Sequence, residues 1–352
     1  MFPMHSPRFL IAALLTMSEL AISQTSFQER ADSLVSSYAA SDRFWGTVLV
    51  AKNGRIEFEK PYGIVDLEWN VRTPIDAKYE IASLTKAFTA MAIVQLEATG
   101  KLKTSDHVSN FYLQAPAAWN RITIEQLLTH SSGLPNNDLH DFNKGIAVPY
   151  TPDELITTFR DRPLKFSPGT DWSYTNTEYY LLAYIIEKVS GEKYGAYLAH
   201  HIFEPLGMKN SGFVPTTAVV SHLVQGYAHD GAVFRHRDYF DRSLEIGAGG
   251  VYSTASDMLR WSQALDGNTL VPASYMQQIF KGDNKGNYGY GWFVTSDSHG
   301  QRIWHEGSDP GYAAFIIRRP AQQLLIVALS NIEDAPVREI ASKLENLALA
   351  QH

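Results

Sequence analysis

Ser83-Leu84-Thr85-Lys86 sets a hydroxyl and an amine three residues apart. On a helix such residues are neighbours on one face. At the first turn of a helix, free backbone N–H groups and the positive dipole end favour a developing oxyanion. The same field and partial burial disfavour a lysine ammonium, and a neutral amine there can take the serine proton. The chain holds a second copy, Ser190-Gly191-Glu192-Lys193, which serves as an internal control. Ile185, Ile186 and Val189 are periodic ahead of it, and Gly191 reads as a helix C-terminal cap. Ser190 therefore falls at the negative end of a helix, badly placed for oxyanion chemistry, and is expected to be structural.

Two further groups complete a candidate site. Tyr174-Thr175-Asn176 follows the loop Phe166 to Trp172 and precedes an apolar run from Tyr179 to Val189. A tyrosine near a lysine can pass protons, and an asparagine amide can hold a substrate amide. The plainer alternative is a helix N-cap at Asn176, with Glu178 favourable in the first turn. His305-Glu306-Gly307-Ser308 leads through Asp309-Pro310-Gly311 into an apolar strand. A strand edge without a side chain at Gly307 lets a substrate approach the backbone, where the N–H of Ser308 would join that of Ser83 as an oxyanion donor. The alternative is a plain β-turn carrying a surface histidine. No second histidine follows His305-Glu306 at the helical spacing of zinc proteases. His200, His201, His222, His229 and His236 read as surface residues, and neither a metal site nor a cofactor is expected.

The elements that must position these residues are legible as patterns. Phe27, Ala31, Leu34, Val35 and Tyr38 have helical spacing over 26–40. Trp45 to Ala51 reads as a strand, Asn53-Gly54 as a hairpin turn and Arg55 to Glu59 as the start of the return strand. A helix is expected from Ser83 to Ala98, stopped by Gly100. The middle carries helical patterns at 122–130, 152–160 and 177–190. The end returns to strands at Tyr312 to Ile317 and Leu324 to Leu329, then a helix near 335–349. These patterns predict a mixed α/β fold: an antiparallel sheet built from both chain ends and flanked by helices, with a largely helical insertion. The expected division is 24–104 with 241–352 as the α/β sheet domain and 105–240 as the helical insertion domain, the site lying between them.

Bulk properties bound the function. The 352 residues are 45% hydrophobic and 19% charged, enough for a large core. The formal net charge is -7 and no Lys/Arg run stands out, which argues against nucleic acid and leaves a small molecule, peptide or wall polymer as partner. The absence of cysteine excludes disulfides, a thiol nucleophile and a lipid-anchored N-terminal cysteine. His5 and Arg8, the apolar run Phe9 to Met17, and Ala21-Ile22-Ser23 read as a signal peptide over 1–23, so the protein is expected to be exported, periplasmic or secreted. The apolar run is too short to span a bilayer, and no stable membrane span is expected.

Taken together, the three motifs resemble those of the penicillin-recognising serine enzymes: class C β-lactamases, serine DD-peptidases and β-lactamase-fold esterases. Their order and spacing agree. So do the flanks Tyr79 to Ala82, Leu127 to Leu134, Pro205 to Met208 and Gly247 to Thr254, and the resemblance runs from about residue 27 to about 345. It implies a β-lactamase/transpeptidase-like fold. It also implies Ser83 as acylated nucleophile, with Lys86 as its base or as the group that keeps Tyr174 ionised. Tyr174 would protonate the leaving group and later activate water, and Asn176 would bind a substrate amide. His305 stands where β-lactamases carry lysine. No counterpart of the separate deacylating glutamate of class A enzymes is seen.

The expected function is thus a serine hydrolase acting through an acyl-enzyme on an ester, amide or D-amino-acid peptide. The alternatives are a true class C-type β-lactamase, a slow-turnover penicillin- or peptide-binding protein, and a non-catalytic self-assembling protein. Glu306 departs from the family's usual threonine. If its side chain points into the cleft it repels substrate carboxylates; if it faces solvent it is neutral to specificity.

Overall fold

The computed structural model describes residues 25–137, 148–213, 219–282 and 284–350; the expected signal segment 1–23 lies outside the described residues. Helix α1 (Phe27–Ala39) opens on a capping box in which Ser26 and Glu29 satisfy each other's backbone N–H groups. A hairpin follows, β1 (Gly46–Lys52) and β2 (Arg55–Tyr62), then the ribbon β3 (Ile64–Asp66) and β4 (Val71–Arg72), and β5 (Tyr79–Glu80). Asn53 and Gly54 have φ of 52° and 73°, the left-handed pair that matches a two-residue turn to strand twist. Helix α2 (Thr85–Ala98) is apolar almost all round and correspondingly buried.

The middle contributes α3 (Ile124–Leu128), α4 (Pro152–Arg160), α5 (Asn176–Ser190) and α6 (Tyr194–Leu198), the last running on into a wide turn over Ala199–Phe203. It also holds β6 (Gly212–Phe213) and the hairpin β7 (Tyr227–Asp230) and β8 (Val233–His236). Tyr227 packs with the sheet's core, and its backbone bonds Asn331 and Glu333, so this hairpin sits against the strands rather than among the helices. After β9 (Val251–Ser253) come α7 (Ala255–Ala264), α8 (Ala273–Ile279), β10 (Phe293–Asp297), β11 (Gly300–Asp309), β12 (Tyr312–Arg319), β13 (Leu324–Ser330) and α9 (Val337–Leu349).

Six strands form one antiparallel sheet in the order β10-β11-β12-β13-β1-β2, so the N-terminal hairpin closes directly onto the C-terminal meander. Strand alternation splits the core in two. Val48, Val50, Phe315, Ile317 and Ile326 face α1 and α9, packing on Val35, Ile340 and Leu344. Leu49, Ala51, Ile316 and Val327 face the other way, towards Phe88 of α2 and Trp261 of α7. The sheet is the expected one, built from both ends and flanked by helices, and the site lies where β11 meets the turn into α2.

Candidate active site

Ser83 does not sit on an α-helix, as the spacing predicts, but in a 3-10 turn (Ala82–Leu84) that leads into α2. The residue before it, Ala82, has φ of 46°, a left-handed conformation costly for a residue with a Cβ. The turn is held by packing from β11. A Cβ on Gly307 would lie 2.4 Å from the Ile81 carbonyl oxygen and 3.2 Å from Ala82 Cβ. The pressure of the nucleophile's turn is by itself enough to require glycine at 307.

Lys86 is fully buried, and its Nζ has three partners: Ser83 Oγ at 3.0 Å, Asn176 Oδ1 at 2.8 Å and the Ala248 carbonyl oxygen at 3.0 Å. Two of these can only accept hydrogen bonds. The direction towards Ser83 is the one that reverses with protonation: a donor in the ammonium, an acceptor in the free amine. Burial lowers the Lys86 pKa to about 7, against the opposing charges of Glu245, Asp309 and Glu178. The Ala248 carbonyl is brought there by a tight loop in which the N–H groups of Ala248, Gly249 and Gly250 all point at the Glu245 carbonyl. Thr85 and Thr89 tie α2 to the same loop through the Val251 N–H at 3.1 Å and the Gly247 carbonyl at 2.6 Å.

Tyr174 comes from the loop before α5. Its ring centroid lies 4.8 Å from Lys86 Nζ, and burial raises its pKa, offset in part by a hydrogen bond with Ser83. The N-cap of α5 is Thr175, not Asn176; its hydroxyl accepts from the Thr177 N–H. That leaves the Asn176 amide free to reach Lys86. Ser190, the control serine, ends α5 with its hydroxyl on the Ile186 carbonyl at 2.6 Å, and Gly191 caps the helix at φ of 78°.

His305 is buried, not on the surface. Its Nδ1–H donates to the Glu306 carbonyl at 2.7 Å, and its Nε2 faces the Tyr288 hydroxyl at 2.9 Å. Burial, with the nearby Lys86 charge, lowers its pKa to about 3. Glu306 points the opposite way along the strand. It pairs with Phe315 on the α9 face, and its Oε2 lies 3.5 Å from Arg338 Nη1 of α9. Strand alternation therefore turns its carboxylate towards Arg338, while the residue still borders the rim of the cleft. β10 pairs with β11 only from Gly300 to Trp304, so Ser308 lies beyond the reach of that partner, on the stretch bordering the cleft.

The cleft holds about 530 Å³ and is bordered by Ser83, Tyr174, Asn176, Phe293, His305, Ser308 and the carboxylates Glu245, Glu306, Asp309 and Glu333. All the predicted residues converge here or support it. Several others were missed. Glu245, whose pKa burial raises to about 7, borders the cleft beside Lys86. Its only sequence signal is its place two residues before the glycine-rich Gly247–Gly250 stretch. Behind Tyr174, the His130 ring packs tilted at 4.4 Å between ring centroids and bonds the buried Glu178, which also takes the Ser132 hydroxyl at 2.5 Å. Burial lowers the pKa of His130 and raises that of Glu178, so this pair holds its proton as neutral groups. Among the described residues no group of three or more histidine, aspartate or glutamate side chains is arranged to hold a metal ion.

Comparison with known proteins agrees with this geometry. The β-lactamase family model matches residues 31–350. The chain belongs to the β-lactamase family. It is 34% identical to PbpX of Bacillus subtilis strain 168, over 89% of this chain and 77% of that protein. The penicillin-binding protein of Bacillus halodurans superposes with a TM-score of 0.81 at 26% identity, covering 89% of this chain and 99% of that one. The D-amino acid amidase of Ochrobactrum anthropi SV3 shares the fold, with a TM-score of 0.80 at 20% identity over 93% of this chain and 99% of that one. Members of the β-lactamase family with this fold are serine hydrolases, which fits a serine, a buried lysine and a tyrosine meeting at the mouth of one cleft.

Proposed function

We propose that this protein hydrolyses an ester, amide or D-amino-acid peptide through a covalent acyl-enzyme on Ser83. One observation carries the reading. Lys86 has two of its three hydrogen-bonding directions tied to oxygens that cannot donate, and burial holds it near neutrality. A neutral amine so placed has its lone pair on the Ser83 hydroxyl. Ser83 Oγ attacks the carbonyl carbon while its proton passes to Lys86 Nζ. The tetrahedral oxyanion is met by the backbone N–H groups of Ser83 and Ser308. The C–O or C–N bond then breaks, and Tyr174 gives its proton to the leaving group. Water, deprotonated by the phenolate this leaves on Tyr174, then releases the acid, and Lys86 returns its proton to Ser83 Oγ. Because burial disfavours the Tyr174 phenolate, the geometry supports Lys86 as acylation base and Tyr174 as acid.

A fluorophosphonate should label Ser83 alone, with no label on Ser190, whose hydroxyl is turned onto its own helix. Label at Ser190, or undiminished labelling of Ser83→Ala, refutes the assignment. A second reading, a penicillin- or peptide-binding protein that acylates and scarcely turns over, is favoured by the penicillin-binding names of PbpX and of the Bacillus halodurans protein. A burst without steady turnover of a chromogenic ester would select it.

The proposal extends to setting. Residues 1–23 act as an export signal, the mature protein works in the periplasm or outside the cell, and its partner is a small molecule or peptide. The divided sheet domain (24–104 with 241–352) and the 105–240 insertion form the two sides of the cleft.

A further inference from the structure

We infer that the cleft selects substrates whose leaving group carries no carboxylate, because His305, at the leaving-group end, has both ring nitrogens already bonded within the protein. The inference rests on the acyl-enzyme reading and names its substrate class. His305 lies beside Tyr174, the proton donor to the leaving group, with ring centroids 6.2 Å apart. A carboxylate bound at this end needs a cation or at least two free N–H donors. His305 supplies neither. The Glu306 carbonyl can only accept, so Nδ1 bears the ring proton and points at that oxygen. Nε2 is then the lone-pair nitrogen and takes the Tyr288 O–H. Tyr288 is itself immobilised: fully buried, edge-on to Phe293 at 4.8 Å and packed on His130 at 4.6 Å. The burial that holds the His305 pKa near 3 keeps the ring uncharged over the working range.

No lining cation compensates, and Arg338, outside the lining, is paired with the lining carboxylate Glu306 at 3.5 Å. Among the described residues the cleft lining contains no lysine or arginine. Arg242 is shared between Asp309, at 3.3 Å, and the buried Glu80, which also holds Arg237. Lys86 is committed to Asn176, Ala248 and Ser83. Glu333 borders the same cleft, its Oε2 accepting from the Gly311 N–H at 3.2 Å. An incoming carboxylate would exchange water for a neutral ring and a nearby like charge.

The test uses two substrates with one scissile bond: the N-phenylacetyl-glycyl thioester of thioglycolic acid, and the methyl ester of the same compound. Rates are normalised to hydroxide-catalysed hydrolysis of each. The wild-type protein should prefer the methyl ester by about tenfold or more in kcat/KM. His305→Lys should cut that preference at least about threefold by placing a cation at the leaving-group end. Should that variant fail to fold, Glu333→Gln should narrow the preference in the same direction. Equal or faster wild-type turnover of the free acid overturns the inference, as does an unchanged ratio in both variants. If neither thioester is turned over and no adduct forms on Ser83, the acyl-enzyme reading itself falls, and this inference with it.

Discussion

Asn176→Asp is the most direct test of how the site generates its base. The Asn176 Oδ1 lies 2.8 Å from Lys86 Nζ. Replacing the amide by a carboxylate at that distance favours the ammonium by about 6 kcal/mol at an effective dielectric near 20, and by about 1.5 kcal/mol if the site were as polar as water. One pKa unit corresponds to about 1.4 kcal/mol, so the Lys86 pKa should rise by roughly one to four units. The wild-type pKa is about 7. Acylation requires the free amine, so activity climbs as pH rises through the pKa of Lys86. In Asn176→Asp that acid limb should move up by at least about one unit, and activity at pH 7 should fall at least about fivefold. Asn176→Ala has the opposite sign: it removes an acceptor that stabilises the ammonium, so its limb should not rise. The assay is kcat/KM for a nitrophenyl ester between pH 5 and 10, with pre-steady-state acylation measured at each pH. An acid limb that stays in place in Asn176→Asp, with folding intact, would show that Lys86 is not the titrating base.

Three further expectations follow from the geometry. Tyr174→Phe keeps the ring packed on His130 but removes the proton carrier; turnover should fall by about 10²–10⁴-fold, with acyl-enzyme visible by intact mass, and normal turnover refutes the role. Gly307→Ala drives a methyl group into the Ile81 carbonyl at 2.4 Å, so it should cost about 1–3 kcal/mol in denaturant unfolding and depress acylation by displacing the Ser83 turn; a stable, fully active variant would contradict that packing. Glu306→Thr breaks only a half-exposed pair with Arg338, so stability should change by less than about 1 kcal/mol, and the penicillin-to-ester ratio of kcat/KM should not change; a rise in that ratio would mean that the Glu306 carboxylate acts on substrate from the cleft rim despite its pairing with Arg338.

The elements with strong local patterns were legible in the sequence. The periodicity of Ala31, Val35 and Tyr38 made α1, the Asn53-Gly54 pair made the first hairpin, and the run to Ala98 stopped by Gly100 made a helix. Residue type, order and spacing also singled out Ser83, Lys86 and Tyr174 as candidates, which the structure brings together, and placed Ser190 at a helix end, where the structure has it. Tertiary structure decided what depends on neighbours distant in sequence. The 3-10 turn at Ser83 exists because Gly307, more than 200 residues away, lets β11 press against it. Thr175 rather than Asn176 caps α5, freeing the amide for Lys86. The charge states of Lys86, Glu245 and His305 are set by burial, which no local pattern encodes. The direction of Glu306 was open in sequence because a strand's period of two defines two faces without saying which is the cleft. Only the pairing of Glu306 with Phe315, and of β11 with β12, turned its carboxylate towards α9 and the His305 ring towards Tyr288 and Tyr174.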